Sequence, residues 1–180
     1  MRRPNLRIHR SRRPLGIAIA AVAVMGISAF VSAPKLLLWN ASASVPVGLY
    51  AVLPKAPVQV GDLAVSALPP DIRDLASERN YLPTDVLLIK PVGAVAGMTV
   101  CRSAAQTSVN GKPAGDAKPV DRMRRPMPVW SGCHHLTRRE IFLMNATVPD
   151  SFDGRYFGPT SVRLIRGRAI PLLTFHASQP

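Results

Sequence analysis

Apolar residues in this chain fall in one long block near the start and in short blocks thereafter. The long block, Leu15–Ala33, is nineteen residues without a charge. At 1.5 Å per residue a helix of that length just spans a hydrocarbon core of about 30 Å. It therefore predicts a membrane-crossing helix. A chain of this size can rarely enclose such a run as a buried helix. The later blocks are shorter and suit strands. Leu49–Leu53 reads as a strand, and Pro54–Pro57 breaks it. Val58–Ser66 reads as a second, with Gly61-Asp62 as a turn or bulge. Val86–Lys90 and Val92–Val100 read as a bent pair interrupted by Pro91, Gly93 and Gly97. Glu140–Met144, Ser161–Ile165 and Ile170–Phe175 complete the strand set. Only Ile72–Arg79 has the look of a short helix, with Asp71 near its N-terminus. Asn110-Gly111 is a two-residue hairpin signal. Pro34–Asn40 reads as a link and Lys112–Pro128, polar and proline-rich, as a surface loop. The expected architecture is one N-terminal helix followed by a mostly β domain.

Composition sharpens this picture. Eighteen prolines in 180 residues disfavour further long helices. The net charge is +13, unevenly placed: residues 1–14 hold six arginines and no acid. Arginines ahead of an apolar run keep the N-terminus in the cytoplasm and send the rest outward. This divides the chain into a basic tail (1–14), an anchor (15–33) and an exported domain (34–180). A cleaved signal peptide is the rival reading, since Val31-Ser-Ala33 has the small residues of a cleavage site. Pro34 would follow that bond directly and argues against cleavage. Both readings export the domain. The basic charge does not point to nucleic acid, because aromatics are not interleaved with basic residues as a stacking surface requires.

Cys101 and Cys133 are the only cysteines. In an oxidising compartment the two can pair. The alternatives are two separate buried thiols, or a metal site using the adjacent Cys133-His134-His135. Adjacent residues point apart in a strand and no CxxC or HxxxH spacing is present, so no metal is expected.

Two further residues suggest chemistry. Ser44 lies before the turn signal Val45-Pro-Val-Gly48, on a loop. A serine needs a base to become a nucleophile, and no legible Asp/His/Ser arrangement surrounds His134, His135 or His176. A neutral lysine can serve if burial lowers its pKa. Lys90 ends the apolar run Val86-Leu-Leu-Ile and is followed by Pro91 and Val92. Taken singly, Ser44 reads as a turn serine and Lys90 as a solvated strand end, since both residue types dominate surfaces.

Their joint pattern resembles the type I signal peptidases, which use a Ser–Lys dyad on a β fold behind a membrane anchor. Ser42-Ala-Ser44-Val-Pro46 is similar to the serine box of that family, and Lys90-Pro-Val-Gly-Ala-Val-Ala-Gly97-Met98 to its lysine box. Gly61-Asp62-Leu-Ala-Val is similar to the family's Gly-Asp strand, and Ser151-Phe-Asp-Gly-Arg-Tyr-Phe-Gly158 to its late box. Within the family the likeness is strongest to the peptidases of conjugal transfer. It is carried by Ser44-Val-Pro-Val-Gly-Leu-Tyr50, Arg79-Asn-Tyr-Leu-Pro83, Val109-Asn-Gly111 and Trp130-Ser-Gly-Cys133 with Cys101. Three positions depart: Pro91 replaces an arginine, Met98 an acid and Gly154 a serine.

The resemblance implies a signal-peptidase-like β-sheet catalytic domain in the periplasm, behind a single pass through the bacterial inner membrane. It implies a serine endopeptidase that processes a membrane-anchored precursor, such as a conjugative pilin subunit, with no cofactor. Ser44 would be the nucleophile and Lys90 the base. The Ser44 N–H and the Ser42 hydroxyl would hold the oxyanion, and Ser151, Asp153 and Arg155 would support the site. A general signal peptidase and an inactive scaffold of a transfer apparatus are the alternatives. The ten residues between Ala33 and Ser44 reach about 35 Å when extended. That keeps the site near the outer face of the bilayer.

Overall fold

The computed structural model describes residues 16–18, 22 and 36–175. Residues 16–18 and 22 are helical. Most of the expected anchor over 15–33 lies outside the described residues. Among those described, no helix is long and apolar enough to cross a membrane.

The domain from residue 36 contains two antiparallel sheets. The larger has seven strands in the order β1-β2-β11-β3-β4-β9-β10. These are β1 (Leu37–Asn40), β2 (Val47–Pro54), β3 (Leu63–Ser66), β4 (Leu88–Ala94), β9 (Glu140–Leu143), β10 (Thr160–Ser161) and β11 (Ile165–Phe175). The smaller has four, in the order β7-β6-β5-β8: β5 (Thr99–Ser103), β6 (Gln106–Val109), β7 (Lys112–Asp116) and β8 (Gly132–His135).

Alternation explains β2. Gly48, Tyr50 and Val52 are buried, whereas Val47, Leu49 and Ala51 are only partly so. Tyr50 and Val52 join Val45, Val65, Ile89 and Ala169 in one core cluster. Gly48 cannot be replaced without moving backbone: a Cβ there would lie 2.1 Å from the Leu173 carbonyl oxygen. A second cluster of Ala94, Val100, Leu136, Phe142 and Met144 draws on both sheets. Met98, one of the departures from the family pattern, packs against it. The Asn110-Gly111 hairpin is present between β6 and β7, with φ of 48° and 76°, the positive pair that a type I′ turn requires. A disulfide joins Cys101 of β5 to Cys133 of β8, directly opposite in the ladder.

Helix α1 (Pro70–Glu78) starts with proline in its first turn, where the missing N–H costs nothing. It ends in a Schellman motif. Asn80 takes φ of 57°, its N–H donates to Ser77 C=O, and the Tyr81 N–H donates to Ala76 C=O. This turn aims the chain at Tyr81.

Five expectations need correction. Val58–Ser66 is strand only from Leu63, because Gly61-Asp62 makes a turn whose backbone pairs with Val92. The Val92–Val100 block is divided between β4 and β5. Pro91 does not break β4, since the ladder continues at Val92: its N–H donates to Asp62 C=O and its C=O accepts from Gly61 N–H. Ser161–Ile165 is largely a 3₁₀ turn over Val162–Leu164, opened by Ser161 accepting from the Arg163 N–H. Lys112–Pro128 contains β7, and Pro34–Asn40 contains β1. Both are edge strands of their sheets; β7 carries Lys112, Pro113 and Asp116, residues an edge position tolerates, whereas β1 is a four-residue strand within a short link.

Candidate active site

Three segments converge. The first is the loop between β1 and β2, which carries Ser42 and Ser44. Its shape is held by Asn40, whose amide nitrogen lies 2.8 Å from Ser42 O and 3.1 Å from both Val45 O and Pro46 O. The Asn40 carbonyl oxygen accepts from the Ser42 N–H, and the Tyr50 hydroxyl donates to Pro46 O at 2.6 Å. Ser44 is 7% exposed. Its hydroxyl lies 2.9 Å from that of Ser42, and its N–H donates to the Ser42 hydroxyl at 3.3 Å.

The second segment is β4. Leu88, Ile89 and Lys90 are all buried, with Lys90 3% exposed and paired in the ladder with the fully buried Ala64. The Lys90 amine donates to the Ser151 hydroxyl at 2.8 Å. Burial lowers its pKa from 10.5 to about 8. The negative charge of Asp153 opposes that fall and the positive charge of Arg155 adds to it.

The third segment is Ser151–Gly158, which contains the one-turn helix α2 (Gly154–Phe157). Asp153 caps α2 by accepting from the Arg155 N–H. Asp153 and Arg155 are 0% and 1% exposed and form a two-pronged ion pair, with both contacts at 2.9 Å. The Arg155 guanidinium also donates to the carbonyls of Asn145, Val148, Ser151 and Asp116. It thus fixes the turn that presents Ser151. Gly154 is the departure from the family's serine. A Cβ there would lie 2.7 Å from both Leu143 O and the Phe142 ring, and Phe142 fills that space.

Ser42, Ser44, Lys90 and Ser151 line one cavity of about 860 Å³, together with Tyr81, Leu82, Leu88 and Phe152. Among the described residues no hydrogen bond joins the Lys90 amine to the Ser44 hydroxyl. Asp153 and Arg155 stand behind this wall.

The sequence reading did not single out Asn145. Its amide donates to the Ser44 carbonyl at 2.5 Å, and its backbone N–H donates to Asp153 at 3.1 Å. It ties the Ser44 loop to the Asp153–Arg155 pair across about a hundred residues of sequence. The available signal was a single asparagine at the end of the apolar strand Glu140–Met144, six residues before Ser151.

A buried amine deprived of water and a loop serine in one cleft are the parts of a serine peptidase without histidine. The chain belongs to the family described as signal peptidase, peptidase S26, whose model matches residues 12–173. Membership implies serine peptidase chemistry in general. Two relatives from Escherichia coli are both plasmid transfer proteins called TraF. One is 31% identical over 172 residues, covering 89% of this chain and 94% of the relative. The other is 32% identical over 180 residues, covering 94% and 99%. A crystal structure of a signal peptidase I from Enterococcus faecalis matches 63% of this chain and 97% of its own, with 16% identity and a TM-score of 0.36.

Proposed function

We propose that this chain is a membrane-anchored endopeptidase in which Ser44 is the nucleophile and Lys90 its base. It processes an exported precursor needed for conjugal plasmid transfer, such as a pilin subunit. The observation that carries this reading is the desolvated Lys90 amine, held by Ser151 in the cavity that Ser44 lines.

In the reaction, neutral Lys90 takes the Ser44 proton as the hydroxyl oxygen attacks the scissile carbonyl. The Lys90–Ser44 contact closes only with substrate in place, as is common for catalytic hydrogen bonds. The developing oxyanion is met by the Ser44 N–H and by the Ser42 hydroxyl, which turns from acceptor to donor. The peptide C–N bond breaks and Lys90 returns the proton to the leaving amine. The acyl-enzyme is then released by water, giving a linear product, or by the substrate's own terminal amine, giving a cyclic one. The two products differ by the mass of one water.

Residues 1–14 are a cytoplasmic tail, 15–33 a single membrane anchor and 34–180 a periplasmic domain. This topology is supported by the basic tail and by an apolar outer face of the large sheet. Leu37 and Trp39 of β1, Leu53 of β2, and Ile170, Leu173 and Phe175 of β11 are exposed there. Such a face suits contact with lipid. The transfer role comes from the TraF relatives.

The test is precursor cleavage by Ser44→Ala, Lys90→Arg and the double variant. Each single change abolishes turnover, because a guanidinium does not deprotonate near neutral pH. The double variant is hardly worse than either. Near-normal turnover by Lys90→Arg would sink the dyad.

A further inference from the structure

A second cavity, of about 610 Å³, opens beside the catalytic one. Both are lined by Ser42, Tyr81, Lys118, Arg122, Asp150 and Phe152, so the two spaces adjoin. The second is rich in positive charge. Arg79, Lys118, Arg122 and Arg125 line it, against only Asp121 and Asp150.

The two acids are already committed. Asp121 accepts from the Tyr81 hydroxyl at 2.5 Å, from Arg125 Nε at 2.6 Å, and from the backbone N–H groups of Met123 and Arg125. Asp150 is shared between Lys118 and Arg122. The Arg79 guanidinium donates to a neutral partner, the Pro126 carbonyl, at 2.7 Å. Counting charges around the wall leaves a surplus of two positive charges.

The wall is also preorganised. The strap that carries Lys118 to Met127 is closed on itself by the Val120–Pro126 bridge, by the Asp121 N–H donating to Arg125 O, and by the Met127 N–H donating to Pro119 O. A cleft whose wall carries a surplus of one sign of charge favours ligands of the opposite sign.

We propose that this second cavity is a specificity subsite for a carboxylate-bearing residue of the substrate, close to the bond that is cut. The proposal rests on the peptidase reading for its ligand. A chain segment threaded past Ser44 and over Tyr81 and Phe152 enters the cavity directly.

The test separates binding from cleavage. The full chain in detergent, carrying Ser44→Ala, is titrated with peptides in which one glutamate is moved through the positions on both sides of the scissile bond. Glutamine peptides are the reference. The expected result is one position where glutamate binds about five- to tenfold more tightly than glutamine, with the gain shrinking as salt is raised. Arg122→Glu, a change at a side chain 93% exposed and so harmless to folding, should erase or reverse that preference. The Ser44 enzyme should show the same preference in kcat/KM. Equal affinity for glutamate and glutamine at every position overturns the subsite, as does a preference unchanged by Arg122→Glu. If the binding preference holds while the Ser44 enzyme cleaves none of the peptides, the subsite stands and the peptidase reading falls. Loss of binding to vesicles of anionic phospholipid in Arg122→Glu, with no glutamate preference, gives the cavity to lipid and overturns the proposal.

Discussion

The Lys90 amine and the Ser151 hydroxyl, sixty-one residues apart in sequence, are hydrogen-bonded at 2.8 Å inside a wall where neither residue is more than 3% exposed. This contact orients the amine without neutralising it, because a hydroxyl can accept from an ammonium or donate to a free amine. Activity should therefore follow the free amine. Cleavage should rise with pH through a midpoint near 8 and level off above it. A profile flat from pH 6 to 9 would show that Lys90 is not the group that titrates.

The same burial has a consequence for stability. Lys90 binds its proton less tightly in the folded chain, about 8, than at its ordinary 10.5. The unfolded state then holds more protons between those values, so this group makes stability rise with pH across that window. Below pH 8 the full penalty stands, roughly 3 kcal/mol from the gap between the two values. Lys90→Met should therefore unfold at a higher denaturant concentration than the wild type at pH 7, and the advantage should fade towards pH 10.5. Equal midpoints at pH 7 would show that the amine is not desolvated.

The Asp153–Arg155 pair supports the site from behind. Arg155→Ala leaves Asp153 buried without its partner and strips four carbonyls of a donor. A loss of 3–5 kcal/mol is the usual result of breaking such a pair. Arg155→Lys should recover little of it, because an ammonium cannot serve the same fork of acceptors. Chemical denaturation of the three forms measures this directly. A cost below about 1 kcal/mol, the value of a surface pair, would contradict the geometry.

The strands that carry the site were legible where alternation and apolar runs are plain, as at Leu49–Leu53 and Val86–Lys90. The Asn-Gly turn was legible because its backbone demands those residues. The edge strands β1 and β7 were not: β1 is only four residues long with its apolar side chains largely exposed, and β7 has the sequence of a loop. Leu36, Leu37 and Trp39 are exposed, and β7 contains Lys112, Pro113 and Asp116. Ser151 and Asp153 could be placed only through the family pattern. Asn145 escaped because its role is a side chain reaching another segment's backbone, which leaves no periodic mark in sequence. The spacing of Arg79, Lys118 and Arg122 is likewise set by folding, and nothing local announces that they share a wall.

The disulfide ties β5 to β8 across 32 residues of sequence. Closing a loop of that size stabilises by roughly 3–4 kcal/mol through the unfolded chain. The double change Cys101→Ser with Cys133→Ser should lower stability by about that amount. The β4–Ser151 contact lies in the other sheet's neighbourhood, so residual activity in the cold should be kept. Thiol labelling of the protein under denaturing, non-reducing conditions should find no free cysteine. Two labelled thiols would remove the bond and, with it, the argument for an oxidising compartment.

Asn145 offers a sharper test of how the serine loop is held. Its side chain faces two ways: the amide donates to Ser44 O at 2.5 Å, while the carbonyl oxygen accepts from the N–H and hydroxyl of Thr147. Asn145→Ala removes both, whereas Thr147→Val removes only the partly buried hydroxyl contact on the far side. A lost buried hydrogen bond costs about 1–3 kcal/mol because the Ser44 carbonyl is left without its partner. If the amide positions Ser44, Asn145→Ala should lower kcat by about ten- to a hundredfold, a displacement effect of the size that misplaced reacting groups produce. KM should change little, since the cavity walls at Tyr81, Leu82 and Phe152 are untouched. Thr147→Val should keep kcat within about twofold of wild type. Asn145→Gln, with the same amide on a longer arm, should recover part of the rate if the loop can accommodate it. A purely structural Asn145 would give a different pattern, with unfolding midpoint and kcat falling together in both Asn145→Ala and Thr147→Val. Steady-state cleavage and denaturation of the same four proteins distinguish the two.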